Sequence, residues 1–81
     1  MSHLVDPDKK KALCARLARA EGQLRGVQRL IEEDADCEKI AGQLAAARKA
    51  LDKSFFTMVG CMIEQDNLSG EHVAAMLAKF G

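Results

Sequence analysis

Two apolar stripes at heptad spacing constrain this chain more than any other feature. Leu13, Leu17, Ala20, Leu24, Val27 and Ile31 follow one another at alternating steps of four and three residues. That spacing keeps apolar side chains on one face of an α-helix and does not fit the period-two alternation of a half-buried strand. Ile40, Leu44, Ala47, Leu51, Phe55, Met58 and Met62 form a second stripe of the same kind. Helix punctuation agrees with both. Asp6-Pro7-Asp8 opens the first helix, since Asp caps, Pro suits the first helical position and a further acid suits the positive end of the dipole. The acidic run Glu32 to Asp36 closes it, and Asp34 or Asp36 is placed to cap the second. Asn67 to Gly70 interrupts the second stripe, and Ser69 caps a short third helix carrying Val73, Met76, Leu77 and Phe80. The expectation is a single all-α domain over residues 1–81, with helices near 7–33, 37–65 and 70–79.

Two long helices and a short one cannot enclose all of this apolar surface. A chain of 81 residues buries only about 60% of its unfolded surface as a monomer. The cheapest burial is an antiparallel homodimer through the second helix, extended to a disc-like homotetramer. Gly22 and Gly26 lie inside the first helix, where each costs about 1 kcal/mol relative to Ala. Either another backbone approaches closely there, or the positions are neutral and tolerated.

Charge is balanced in total but not along the chain. Between Lys9 and Arg29, seven basic residues (Lys9, Lys10, Lys11, Arg16, Arg19, Arg25 and Arg29) stand against a single acid, Glu21. Arg48, Lys49 and Lys53 add positive charge to the second. A local basic field of this kind suits an anionic partner such as duplex DNA, although a solvated helix face is the plainer reading. With aromatic content of 4% and no Trp or Tyr, a module that stacks bases on aromatic rings is excluded. No glycine-rich phosphate loop, paired catalytic carboxylates or His-activated nucleophile is present, so an enzyme is not expected. No signal peptide or long apolar run is visible, which makes a cytoplasmic protein with reduced thiols the expectation.

Of the three cysteines, Cys37 stands at the first turn of the second helix. Helix-start N–H groups favour a thiolate, while Asp34, Asp36 and Glu38 oppose it. Positions 25 and 29 residues further on return to within about 20° of the same helix face; these are Met62 and Asp66. In an antiparallel pair centred near residue 50 they would lie beside Cys37 of the other chain. Cys61 reaches Cys37 only if the pair supercoils suitably. Two thiols with a thioether suit Cu(I), whereas two thiols alone suit persulfide or disulfide chemistry. The plain alternative is that Cys61 and Met62 fill the core. Cys14 reads as structural. His3 is a weak metal candidate, and His72 reads as an exposed helix residue.

The run Glu21-Gly22-Gln23-Leu24-Arg25-Gly26, continuing to Ile31-Glu32-Glu33-Asp34 and then to Cys37 and Gln43, resembles the CsoR/RcnR/FrmR family of bacterial repressors that sense metals, formaldehyde or persulfides. The likeness covers about residues 9 to 66. It implies an all-helical tetramer that binds operator DNA through a flat face, with no helix-turn-helix. It implies that Cys37 is the sensing cysteine. Carried over by position, it makes Arg16, Gln23 and Lys49 the first DNA contacts, with Arg19 and Arg25 next. Metal-sensing relatives place His and then Cys or His where this chain has Met62 and Asp66, so the usual copper and nickel ligand sets are missing. The second thiol of the persulfide sensors is missing as well. The expected function is a repressor released by thiol or persulfide chemistry at Cys37, with Cys61 as its expected partner. Cu(I) held by Cys37, Cys61 and Met62, with Asp66 and His3 as further candidate ligands, is the alternative. Formaldehyde ranks third, and a helical metal-binding or interaction protein with no regulatory role is the different class.

Overall fold

The computed structural model describes residues 3–81, which form three helices: α1 (Pro7–Glu32), α2 (Cys37–Asp66) and α3 (Gly70–Phe80). The fold is all-α. Asp6 caps α1, its carboxylate accepting from the N–H groups of Asp8 and Lys9. The turn into α2 is only four residues long and resolves the rival acids. Asp34 adopts the left-handed conformation at φ 56°, and Ala35 N–H donates to Leu30 O at 2.9 Å while Asp34 N–H donates to Ile31 O at 3.2 Å. This is a Schellman closure with Asp in the place usually taken by glycine. Asp36 then caps α2 by accepting from Glu38 N–H at 3.0 Å and Lys39 N–H at 3.3 Å. Asn67, left-handed at φ 50°, ends α2, and Ser69 Oγ accepts from His72 N–H at 3.2 Å to start α3. Asp36→Ala removes a cap that nothing nearby replaces. It is expected to cost about 1 kcal/mol, read as a lower urea midpoint at constant protein concentration.

α1 and α2 pack as an antiparallel hairpin, and their apolar stripes split as they do so. Ala20 and Val27 of α1 are buried, as are Ala47, Ser54 and Cys61 of α2. Leu17, Leu24 and Ile31, which share the α1 stripe, stay 43%, 38% and 55% exposed. Leu44 and Leu51 of α2 are likewise exposed. The inward rows repeat every seven residues and are made mostly of small side chains. Small residues let two helix axes approach closely, so Ala20 and Ala47 sit in the seam while the leucines are turned out of it. Ser54 satisfies its hydroxyl by donating to Ala50 O at 3.1 Å.

α3 turns back along α2, and the Phe80 ring meets Phe55 edge-on with centroids 6.4 Å apart. None of its residues is buried. The N-terminal segment is tied down at the same end of the hairpin. Gln65 accepts from Val5 N–H at 3.2 Å, and its amide donates to the His3 carbonyl and to Asp66. Lys9 pairs with Glu64 at 2.5 Å.

The resulting shape is long and thin, 48 × 28 × 16 Å, with a radius of gyration of 16.0 Å. A compact chain of this length has about 12 Å. Its accessible surface of 6267 Å² exceeds by about 1,500 Å² the value that surface scaling gives for a monomer of this mass. A Cβ added at Gly22 or Gly26 would meet nothing within 4 Å, so no close approach within the chain explains either glycine. No helix is long and apolar enough to cross a membrane among the described residues.

Candidate nucleic-acid interface and sensing thiol

The antiparallel packing of α1 on α2 brings two basic rows to one side of the hairpin. Arg16 and Arg19 are three residues apart on α1, and Lys49 and Lys53 are four apart on α2, so each pair shares a helix face. Together with Gln23 they line an open groove of about 290 Å³, with two alanines of α2 between them. All five polar side chains are exposed. No acidic residue lines the groove. Neither ion pair among the described residues involves any of its cations. Four positive charges thus share a concavity without a counter-charge, alongside an amide that can donate and accept.

Three other basic residues lie outside this groove. Arg25, expected among the DNA contacts, is not on this groove: it pairs with Glu21 one helical turn back at 2.6 Å. Arg48 belongs to a different face of α2, where it lines a shallow depression with Ala41, Leu44 and Ala45. Lys9 is held by Glu64, whose hydrogen bond and negative charge keep the ammonium above the ordinary lysine range. Lys53 was the groove residue that sequence reasoning left out of its DNA contacts. The signal for it is its i, i+4 relation to Lys49.

The thiols occupy different surroundings. Cys37 is exposed at the first position of α2. The N–H groups of Glu38 and Lys39, which the helix start offers to an anion, are already engaged by Asp36. Cys61 is only 7% exposed and lies on the seven-residue row of Ala47 and Ser54, facing α1. The expected approach of Cys61 to Cys37 is one between two chains: within one helix the two positions lie about 36 Å apart, and Cys61 is buried in the seam of its own hairpin. Cys14, expected to be structural, is exposed on α1. Met62 is half-buried and Asp66 is exposed. The Gln65 clasp brings the His3 backbone to that end of α2, and the His3 side chain is exposed. His72 is exposed on α3.

Among the described residues no group of three or more His, Cys, Asp or Glu is placed to hold a metal ion. The donors divide between the two ends of the hairpin, Cys37 at one and Cys61, Met62 and Asp66 at the other. Among the described residues, a single chain therefore does not bring Cys37 together with the other candidate donors.

Comparison with known proteins gives a consistent answer. The chain is 41% identical over 54 residues to the copper-sensing transcriptional repressor CsoR of Mycobacterium ulcerans, covering 67% of this chain and 45% of that protein. It is 50% identical over 36 residues to the copper-sensing transcriptional repressor RicR of Mycobacterium tuberculosis, covering 44% of this chain and 38% of that one. The matches thus span less than half the length of these relatives. No solved structure gives a significant match. The family described as metal-sensitive transcriptional repressor matches residues 9–79, nearly the whole of the three-helix unit, and the chain belongs to that family.

Proposed function

We propose that this protein is a cytoplasmic repressor that binds operator DNA through the Arg16, Arg19, Gln23 and Lys49 groove and is released by chemistry at Cys37. The observation that carries the reading is the groove itself: four unpaired cations and one amide, drawn from two helices, with no acid among them. Lys and Arg on such a surface neutralise phosphates and release counterions. The amide of Gln23 can meet either a phosphate or a base edge. One hairpin offers a short basic track. Several copies arranged symmetrically would repeat it along a duplex.

The same geometry supports assembly of at least two copies. The excess surface of about 1,500 Å² on one chain is about twice the ~800 Å² that a standard protein interface removes from each partner. The exposed leucines of α1 and α2 are the surface to be covered, and a second copy of this chain fits as the occupant. If α2 pairs antiparallel with its counterpart, Cys37 of one chain comes to the Met62 and Asp66 end of the other. The sensing site would then be completed only by assembly.

Exposure of Cys37 supports its role as the reacting thiol. With a persulfide donor, its sulfur attacks the outer sulfur of the donor, displacing the donor's thiolate and leaving a Cys37 persulfide. Linkage requires the modified state to favour the form that binds DNA less well. A second reading, Cu(I) as the inducer, is favoured by the copper-sensing relatives. It needs ligands from two chains, Cys37 of one with Cys61 and Met62 of the other, and Asp66 and His3 as further candidate ligands.

The test is anaerobic fluorescence anisotropy of the reduced protein on duplex DNA from its own upstream region. A persulfide donor and Cu(I) are titrated in parallel. Release by the persulfide donor alone supports the thiol switch. Release by stoichiometric Cu(I) alone replaces it with the metal reading. Absence of duplex binding in every state sinks the repressor reading and leaves a helical interaction protein.

A further inference from the structure

His72, Met76 and Phe80 follow one another at steps of four residues on α3. Each step advances about 6 Å along the axis and about 40° around it, so an imidazole, a thioether and an aromatic ring stand on one side of the helix. With Ala75 and Lys79 they line an open groove of about 340 Å³. His72 is exposed, Met76 is half-buried and Phe80 is 60% exposed. Among the described residues the His72 ring takes part in no hydrogen bond or ion pair. No carboxylate lines the groove, so hard divalent ions, which take oxygen ligands, are not served by it. Its donors are of another kind: imidazole suits copper, and a thioether selects Cu(I). The i, i+4 spacing is the one at which two side chains of a single helix grip one ion. The ring already holds a cation. Lys79 Nζ stands 5.4 Å from the Phe80 centroid, inside the range of about 6 Å over which a ring face attracts positive charge.

We propose that this face of α3 is a binding site for a soft monovalent cation, in which a His72 ring nitrogen and the Met76 sulfur hold one Cu(I) ion against the Phe80 ring and Lys79 withdraws. The site uses none of the residues assigned to the DNA groove or to the chemistry at Cys37, and it stands or falls apart from them. Both ligands are neutral, so the ion keeps its charge, which the negative face of the ring partly offsets. Lys79 is the opposing element. Its ammonium competes for the same ring and repels the ion, so affinity is set by a contest between two cations at one aromatic face.

The experiment titrates Cu(I), supplied anaerobically as its acetonitrile complex, into protein labelled with carbon-13 at the methionine methyls and followed by NMR. Affinity is read by competition with a colorimetric Cu(I) chelator, and mass by light scattering. Each methyl reports on its own sulfur, and Met76→Leu identifies the Met76 signal. The Met76 methyl and the His72 ring protons are expected to move together, with the same dependence on Cu(I). His72→Gln should weaken Cu(I) at Met76 by about tenfold or more, since a single donor loses the gain from two joined ones, and should leave the Met58 and Met62 responses as they were. Lys79→Gln should tighten the site by about threefold, because it removes both a competitor and a repelling charge; a purely structural face would show no such gain. Zn(II) should leave the Met76 methyl in place, because its ligands are thiolate, imidazole and carboxylate rather than thioether. An unmoved Met76 methyl with Cu(I) in excess over every thiol overturns the proposal. So does a Met76 response that keeps its full affinity in His72→Gln. A changed mass in His72→Gln or Lys79→Gln overturns it in favour of a contact between copies.

Discussion

Reversing charge at Arg16 and Lys49 together (R16E/K49E) is expected to abolish duplex binding at physiological salt while leaving the assembly intact. The two residues come from different helices and meet in one groove with no acidic neighbour lining it. The double variant removes two phosphate contacts per hairpin and places two repelling carboxylates in the same concavity. Loss of the contacts alone lowers the salt slope by about 1.8 per hairpin touching DNA, and repulsion should bring the total loss to a hundredfold or more. Both side chains are exposed, so stability should change by less than about 0.5 kcal/mol. The paired variant Arg25→Glu is the control, because Arg25 faces Glu21 at 2.6 Å and lies outside the groove. Its effect should be far smaller. Retained duplex affinity in R16E/K49E, with unchanged mass by light scattering, would rule out this groove as the interface.

Cys37→Ser should produce a repressor that binds but does not let go. In the unaltered protein an inducer acting at Cys37 is expected to weaken operator binding by about 5- to 150-fold, the usual range of coupling between two sites. Serine keeps the size and polarity of the residue but supplies neither a nucleophilic sulfur nor a soft ligand. The variant should therefore match the unaltered affinity and show no release by persulfide donor or by Cu(I). Cys61→Ser separates the two thiols. Its sulfur is buried between α1 and α2, so the substitution should lower the urea midpoint yet preserve release. Preserved release in Cys37→Ser, or its loss in Cys61→Ser alone, would move the sensing chemistry to the seam.

Much of the architecture is legible in the residues. Asp6-Pro7, Asp36 and Ser69 mark three helix starts because a short side-chain acceptor is the local answer to unpaired N–H groups. The doubling of acids between the long helices has two purposes, with Asp34 ending one helix and Asp36 starting the next. Propensity alone does not separate them, because the left-handed turn is set by where the chain reverses. The apolar stripes are visible, but not which half of each turns inward. That is decided when Ala20 meets Ala47 and Ser54, a pairing between residues far apart in sequence. Cys61 follows the same logic. Its seven-residue relation to Ser54 and Ala47 is present in the sequence, yet the row through Met58 and Met62 has larger apolar side chains and dominates the pattern. The convergence of Arg16, Arg19, Gln23 and Lys49 could be anticipated only through family likeness, since charge runs alone fit a solvated face equally well. The Gln65 clasp on His3 and Val5 carries no sequence signal, because its partners are backbone groups.

The hairpin seam has one further consequence. No large side chain is fully buried among the described residues, and the core is made of alanines, valines, a serine and a cysteine. If copies assemble as proposed, a chain with so little interior gains most of its folding free energy from the surface it shares with them, and folding and association become one equilibrium. Its thermal midpoint should climb with protein concentration. Below the concentration at which copies find one another, a cell would hold unfolded chains open to proteolysis rather than folded single subunits.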